Sequence, residues 1–174
     1  MATTLVAAAT VPMTSQFHKR SCGEKADLVC FGVNGGTAQN VNVDDVAYAA
    51  SYLRYIAEEN AGTAGAFFTM PPSNDCDEWQ LPLAFGDSVM SLAKHINPRV
   101  NSSVLYEDIA NAIDGGVDPT AESLAASLLG ACGANGGMVG VKANLSNPAY
   151  SSASYVVGKG KPEAILVKIV HTPQ

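Results

Sequence analysis

The sequence predicts an α+β domain with a mainly antiparallel sheet packed with helices. Three observations predict it. Val46, Ala50, Leu53 and Ala57 recur at helical spacing, so residues 43–60 form a helix. Residues 164–172 (AILVKIVHT) are rich in β-branched side chains, with Ile165, Val167 and Ile169 on one face, in a run too short for a helix. Strand-like runs come in pairs with helices between them, rather than in strict strand–helix alternation. The 174 residues are 47% hydrophobic and 15% charged, which suffices for one cored domain and excludes a disordered chain.

Taken in order, residues 27–33 (DLVCFGV) read as a strand closed by the turn Asn34-Gly35-Gly36. Asn42 is placed to cap the helix that follows, and Asp44 and Asp45 sit where its dipole favours negative charge. Tyr48, Tyr52 and Tyr55 share a neighbouring face, expected as the edge of the core, with ligand stacking as the alternative. Residues 65–70 (GAFFTM) and 78–85 (EWQLPLAF) read as two strands of a hairpin, the second at an edge because Pro82 lacks a ladder donor. Val89, Leu92, Ala93 and Ile96 predict a helix started by Asp87 and stopped by Asn97-Pro98. Leu105, Ile109, Ala112 and Ile113 predict another, capped by Ser102 or Ser103 and ended by Gly115-Gly116. Asp118-Pro119 opens a third, running through Leu124, Leu128 and Leu129. Residues 136–144 and 153–158 (ASYVVG) read as strands before the strong one at 164–172.

Residues 1–20 read as a leader or pro-segment and residues 21–174 as one secreted domain. The leader has an apolar, alanine-rich middle without a basic start. Lys19-Arg20, directly before the first cysteine, reads as a dibasic processing site; the alternative is a solvated charge pair. Cys22, Cys30, Cys76 and Cys132 are an even set behind that leader, which predicts two disulfides in one of three connectivities; the alternative is four buried free thiols in a cytosolic protein. Asn101-Ser102-Ser103 and Asn144-Leu145-Ser146 are N-glycosylation sequons and fit an extracellular protein. A net charge of −6 argues against nucleic acid as a partner, and no apolar run is long enough to span a bilayer.

The chemistry-bearing residues are few. The three histidines and four cysteines lack zinc-ligand spacing, no serine sits in a GxSxG elbow, and no cofactor motif is present. His95 is expected as a solvated helix residue and His171 at a sheet edge. Asp75-Cys76-Asp77-Glu78-Trp79 is the richest cluster: its carboxylates and tryptophan could serve a glycan as acid, base and stacking platform. The simpler reading is a disulfide-anchored acidic loop, in which Asp75, Asp77, Glu78 and Trp79 form a binding loop at most. Glu107, Asp108 and Asp114 read as a solvated helix face. The glycine-rich segments 32–36 and 130–140 lack the order of a phosphate cradle and read as turns and helix ends.

The dibasic leader edge, Cys22 and Cys30 at the mature start, Tyr48 to Ile56 (YAASYLRYI), the Cys76-Asp77-Glu78-Trp79 turn, and Val104 to Gly116 (VLYEDIANAIDGG) followed by Cys132-Gly133 and Gly136-Gly137 together resemble the fungal killer toxins and related secreted effectors of plant pathogens. The resemblance is one of layout over roughly residues 21–172. It implies a split βαβ arrangement and a secreted, non-enzymatic protein acting on a surface target of host or competitor cells. The alternative is a secreted glycan hydrolase, or a carbohydrate-binding or inhibitor module.

Overall fold

The computed structural model describes residues 22–83 and 88–173. The leader, with Lys19 and Arg20, and Asp87 lie outside the described residues. Among the described residues the main sheet has five strands: β1 (Val29–Cys30), β3 (Glu78–Gln80), β4 (Val89–His95), β6 (Gly137–Gly140) and β7 (Ile165–His171), in the order β1-β6-β7-β4-β3 with every neighbouring pair antiparallel. A separate two-stranded sheet pairs β2 (Phe67–Met70) with β5 (Ser102–Leu105), also antiparallel. The helices are α1 (Val43–Glu59), α2 (Tyr106–Asp114), α3 (Ala121–Ala125), α4 (Leu128–Cys132) and α5 (Ala153–Gly158). The fold is mixed α+β with a mainly antiparallel sheet, as the sequence predicts. β4 and β6 flank β7 and oppose it, so they run parallel to each other, and the chain passes from one to the other through β5, α2, α3 and α4.

α1 begins where the Asn42 side chain accepts a hydrogen bond from the Asp44 amide, 2.9 Å away. It buries Val46, Ala49, Ala50 and Leu53 against α2, which contributes Ile109, Ala110 and Ile113. The alanines let the two helix backbones approach closely. Below them, Val89 and Ala93 of β4 and Ile165, Val167 and Ile169 of β7 complete one core. Truncating Ile109 or Ile113 to Ala would cost about 2–5 kcal/mol. α2 ends at Gly115, whose φ of 93° is open to glycine at no steric cost; a Cβ there would also lie 3.0 Å from the Leu124 backbone. A second, smaller core joins Phe67, Leu105, Tyr150 and Tyr155, with the Phe67 and Tyr155 ring centroids 4.6 Å apart.

The opposite face of the sheet is crossed by the N-terminal segment. Cys22 is bonded to Cys76, just ahead of β3. Glu24 then reaches Lys94 on β4 and Lys168 on β7, and the Ala26 carbonyl accepts from the Gly140 amide on β6 before the chain enters β1. The second disulfide, Cys30–Cys132, ties β1 to the end of α4. Both bridges join residues far apart in sequence, by 54 and 102 positions, so in the chain-entropy model each restricts the unfolded chain by about 4–5 kcal/mol.

Several expected elements differ. Residues 89–95 form strand β4 instead of a helix, because both of its faces are covered: Val89, Ser91, Ala93 and His95 are buried on one side, and Leu92 on the other. Such two-sided burial removes the alternation that marks a strand. Residues 65–70 and 78–83 do not form a hairpin, and the rest of the expected second strand, 84–85, lies outside the described residues. β2 pairs with β5 and β3 pairs with β4, in different sheets; the edge position expected from Pro82 holds for β3. Ser102 and Ser103 lie in β5 rather than capping α2, whose N-cap is Leu105. Residues 153–158 form α5, because the Ser152 hydroxyl accepts from the Tyr155 amide and only Tyr155 is buried. The third predicted helix is two short ones, broken at Ser127, which caps α4.

Candidate functional site

α1 carries a stripe opposite its core face. At 100° per residue, Asp44, Tyr48, Ser51, Tyr52, Tyr55, Glu58 and Glu59 fall on that side, and Val46, Ala49, Ala50 and Leu53 on the other. The tyrosines stack in a row, with ring centroids 6.3 Å apart from Tyr48 to Tyr52 and 6.1 Å from Tyr52 to Tyr55. They are not the edge of the core: Tyr48 is 41% and Tyr55 53% exposed. The stripe runs the 17 residues of the helix, about 25 Å.

Arg54 is the single cation on α1, and it is already occupied. Its Nη1 donates to Asp114 Oδ2 at 2.7 Å, and its Nη2 to Asp114 Oδ1 at 2.5 Å and Asn111 Oδ1 at 3.0 Å. This fork clamps α1 to the end of α2. Asp114, expected on a solvated face, is therefore committed to a half-buried ion pair. Beside the stripe lies a cleft of about 370 Å³ lined by Ser51, Arg54, Tyr55, Glu58, Asp114 and Val117 among others. A second cleft of about 220 Å³ shares Arg54, Glu58 and Val117 with it and extends to Glu107 and Asn147. Asn147 Nδ2 donates to Glu107 at 3.2 Å across that end.

The four residues of the expected binding loop are held by different contacts. Asp75 is held in a local turn: the Ser73 hydroxyl donates to its carboxylate at 2.7 Å. Asp77 is connected through its amide, 3.4 Å from Asp75 Oδ1. Glu78 accepts from Lys168 Nζ at 2.5 Å, and Trp79, 40% exposed, stands edge-on to Phe68 with centroids 6.5 Å apart. None of the clefts described here is lined by these four residues. The two sequons also differ. Asn144 is exposed, whereas the Asn101 amide donates to the carbonyls of Gly158 and Lys159.

Neither histidine sits where it was expected. His95 is buried at the end of β4, 2% exposed, and its Nε2 donates to the Met70 carbonyl at 3.1 Å, linking the two sheets. His171 ends β7, a central strand, and its Nδ1 lies 2.7 Å from the Thr172 carbonyl. Among the described residues no group of His, Cys, Asp and Glu is placed to hold a metal ion, and no helix is long and apolar enough to cross a membrane.

Two polar groupings, one buried and one partly buried, had no signal in the sequence beyond a polar residue in an apolar pattern. Asp108, expected in solvent, is buried: the Tyr150 hydroxyl donates to its Oδ2 at 2.5 Å and the Asn144 amide at 3.2 Å, while the Leu105 amide donates to the same hydroxyl at 2.9 Å. Burial pushes the Asp108 pKa up, against the lowering effect of those two donors, and Glu107 adds to the rise. Burial and the adjacent Asp108 likewise raise Tyr150, and burial pushes Tyr155 up to about 12. In the second grouping, Lys168 lies between Glu24 and Glu78, with 2.5 Å to each, and Lys94 lies 2.5 Å from Glu24. Burial works to raise Glu24, but the two ammonium groups outweigh it and hold its carboxyl below the usual value. Burial likewise works to lower Lys168, but its two carboxylates outweigh it and hold its pKa up.

All four cysteines are paired, Cys22 with Cys76 and Cys30 with Cys132, so of the three connectivities the fold adopts this one. Comparison of the chain with protein-family models, with curated proteins and with solved structures finds no match.

Proposed function

We propose that this is a secreted, non-enzymatic protein of the killer-toxin and fungal-effector kind, acting by binding a target on host or competitor cells. The observation that carries the reading is the pair of long-range disulfides, which fix β1 and the N-terminal segment to a domain of modest size. Such bridges form and persist in oxidising compartments. The parallel strands β4 and β6, with β7 inserted between them and helices among the elements that connect them, add support, because the resemblance implies an arrangement of that general kind. The hydrolase reading draws less support: Glu78 is tied to Lys168, and Asp75 is tied into its own turn.

The test is secretion of the full chain from a fungal host, with mass spectrometry of the medium. The reading expects a mature protein beginning after Arg20, with four oxidised cysteines and killing or necrosis activity on challenged cells. Retention in the cell with Met1 intact and free thiols would overturn it.

A further inference from the structure

We propose that the outer stripe of α1 docks a basic peptide segment of a partner protein, arginine- or lysine-bearing, with the tyrosine row as its platform. The inference deepens the target-binding reading above and rests on it only in taking the protein to act by binding.

Charge and ring placement together point to this partner. Asp44 stands one turn before Tyr48, and Glu58 and Glu59 follow Tyr55, so carboxylates bracket the row at both ends. The only cation on the helix, Arg54, is consumed by Asp114 and Asn111 and cannot neutralise them. Tyr48 and Tyr55 keep about half of their surface in water, where a tyrosine ring face attracts guanidinium and ammonium groups. Ring faces and carboxylates thus select the same sign of charge, and the row repeats over a length that an extended segment of several residues would cover. The cleft beside the row, lined by Ser51, Tyr55 and Glu58 and also by the mutually paired Arg54 and Asp114, gives a small side chain of that segment a recess. A neutral glycan could use the rings and donate hydroxyls to the bracketing carboxylates, but it carries no charge for them to attract, so only the basic segment draws on both features as a salt-sensitive attraction. An acidic partner would be repelled by them, as the chain's net charge of −6 also requires.

The test uses the full-length oxidised protein and a fluorescent octapeptide of alternating arginine and glycine, read by anisotropy at low and moderate salt. We expect saturable one-site binding that weakens with salt. Tyr48→Leu/Tyr52→Leu/Tyr55→Leu keeps every charge and the apolar area while removing the ring faces, and should weaken binding about tenfold. Asp44→Asn/Glu58→Gln/Glu59→Gln keeps the rings and should weaken it by a similar factor while flattening the salt dependence. Thermal melts check that both variants fold; all six positions lie off the core face. Undiminished binding by the leucine variant would reduce the interaction to non-specific charge and overturn the proposal. So would binding of a chitin or glucan hexasaccharide, but not the peptide, to the same tyrosines. Concentration-dependent dimerisation abolished by the leucine variant would assign the stripe to a second copy of this chain and equally overturn it. Because the purified oxidised protein is used, a failure to be secreted would sink the reading of the preceding section without altering this result.

Discussion

Lys168 on β7 and Glu24 on the N-terminal segment meet at 2.5 Å, Nζ to Oε1, across 144 positions of sequence. The contact lies on the face of the sheet away from the helices, and the same ammonium also holds Glu78 of β3. One lysine thereby joins the N-terminal segment, a central strand and an edge strand.

Removing Glu24 leaves Lys94 and Lys168 facing each other without a shared carboxylate. Glu24→Gln should cost about 1–3 kcal/mol at neutral pH, less than the cost of breaking a fully buried pair because the carboxylate keeps partial contact with water. Its folded pKa lies below the ordinary 4.5, so its stabilisation is present above pH 4.5 and is lost as pH falls through the lower folded value. Lys168, raised above 10.5, stabilises fully below pH 10.5 and loses that contribution as pH rises through its folded value. Urea unfolding from pH 2 to 8 should show the wild-type acid-side loss flattened in Glu24→Gln.

Asp108 acts in the opposite sense. Its folded pKa lies above the ordinary 3.8, so the folded protein retains this proton to higher pH than the unfolded chain does, and the group's contribution declines as pH rises from 3.8 through the folded value. Asp108→Asn should abolish that decline. Tyr150→Phe removes the donor to the carboxylate and leaves the Leu105 amide without its acceptor, a loss of about 2–3 kcal/mol in chemical denaturation.

The two disulfides should separate in a reductant titration. Cys30 and Cys132 are buried, while Cys22 and Cys76 are half-exposed and open to thiolate attack. Alkylation of thiols trapped at low reductant should label Cys22 and Cys76 first, followed by peptide mapping. Cys30→Ser/Cys132→Ser should cost about 4–5 kcal/mol and lower the melting temperature steeply.

The sequons should differ in a glycosylating host. Asn144 is exposed, whereas the Asn101 amide is spent on the Gly158 and Lys159 carbonyls and so is poorly placed to carry a glycan in the folded domain. Endoglycosidase treatment should shift the wild-type mass by one glycan, and Asn144→Gln should abolish the shift. A shift that survives in Asn144→Gln and vanishes in Asn101→Gln would contradict this assignment.

Local signals are readable in α1 and α2, where several apolar residues line one buried face. α1 was legible because Asn42 caps it and its apolar residues line one side, and the end of α2 because Gly115 stops it. β7 was legible from its β-branched content even though both its faces are covered. β4 was not, because burial on both faces leaves apolar residues at 89, 92, 93 and 96, a pattern a helix would also give. α5 was misread for the converse reason: Val156 and Val157 carry strand propensity yet stand in solvent, so propensity had no packing to act through. At the candidate site, the tyrosine spacing was visible, but whether the row faced core or water depended on where α2 packs.

By itself the sequence determined the α+β class, the even set of cysteines and the acidic balance, because these follow from composition and from periodicity within single segments. Tertiary structure alone decided that Cys22 bonds Cys76 and Cys30 bonds Cys132, that Asp108 is buried under Tyr150, and that Lys168 is shared by Glu24 and Glu78. Each of those pairings spans at least 42 positions, and such partners are selected by how the sheet and helices stack, which no local pattern encodes.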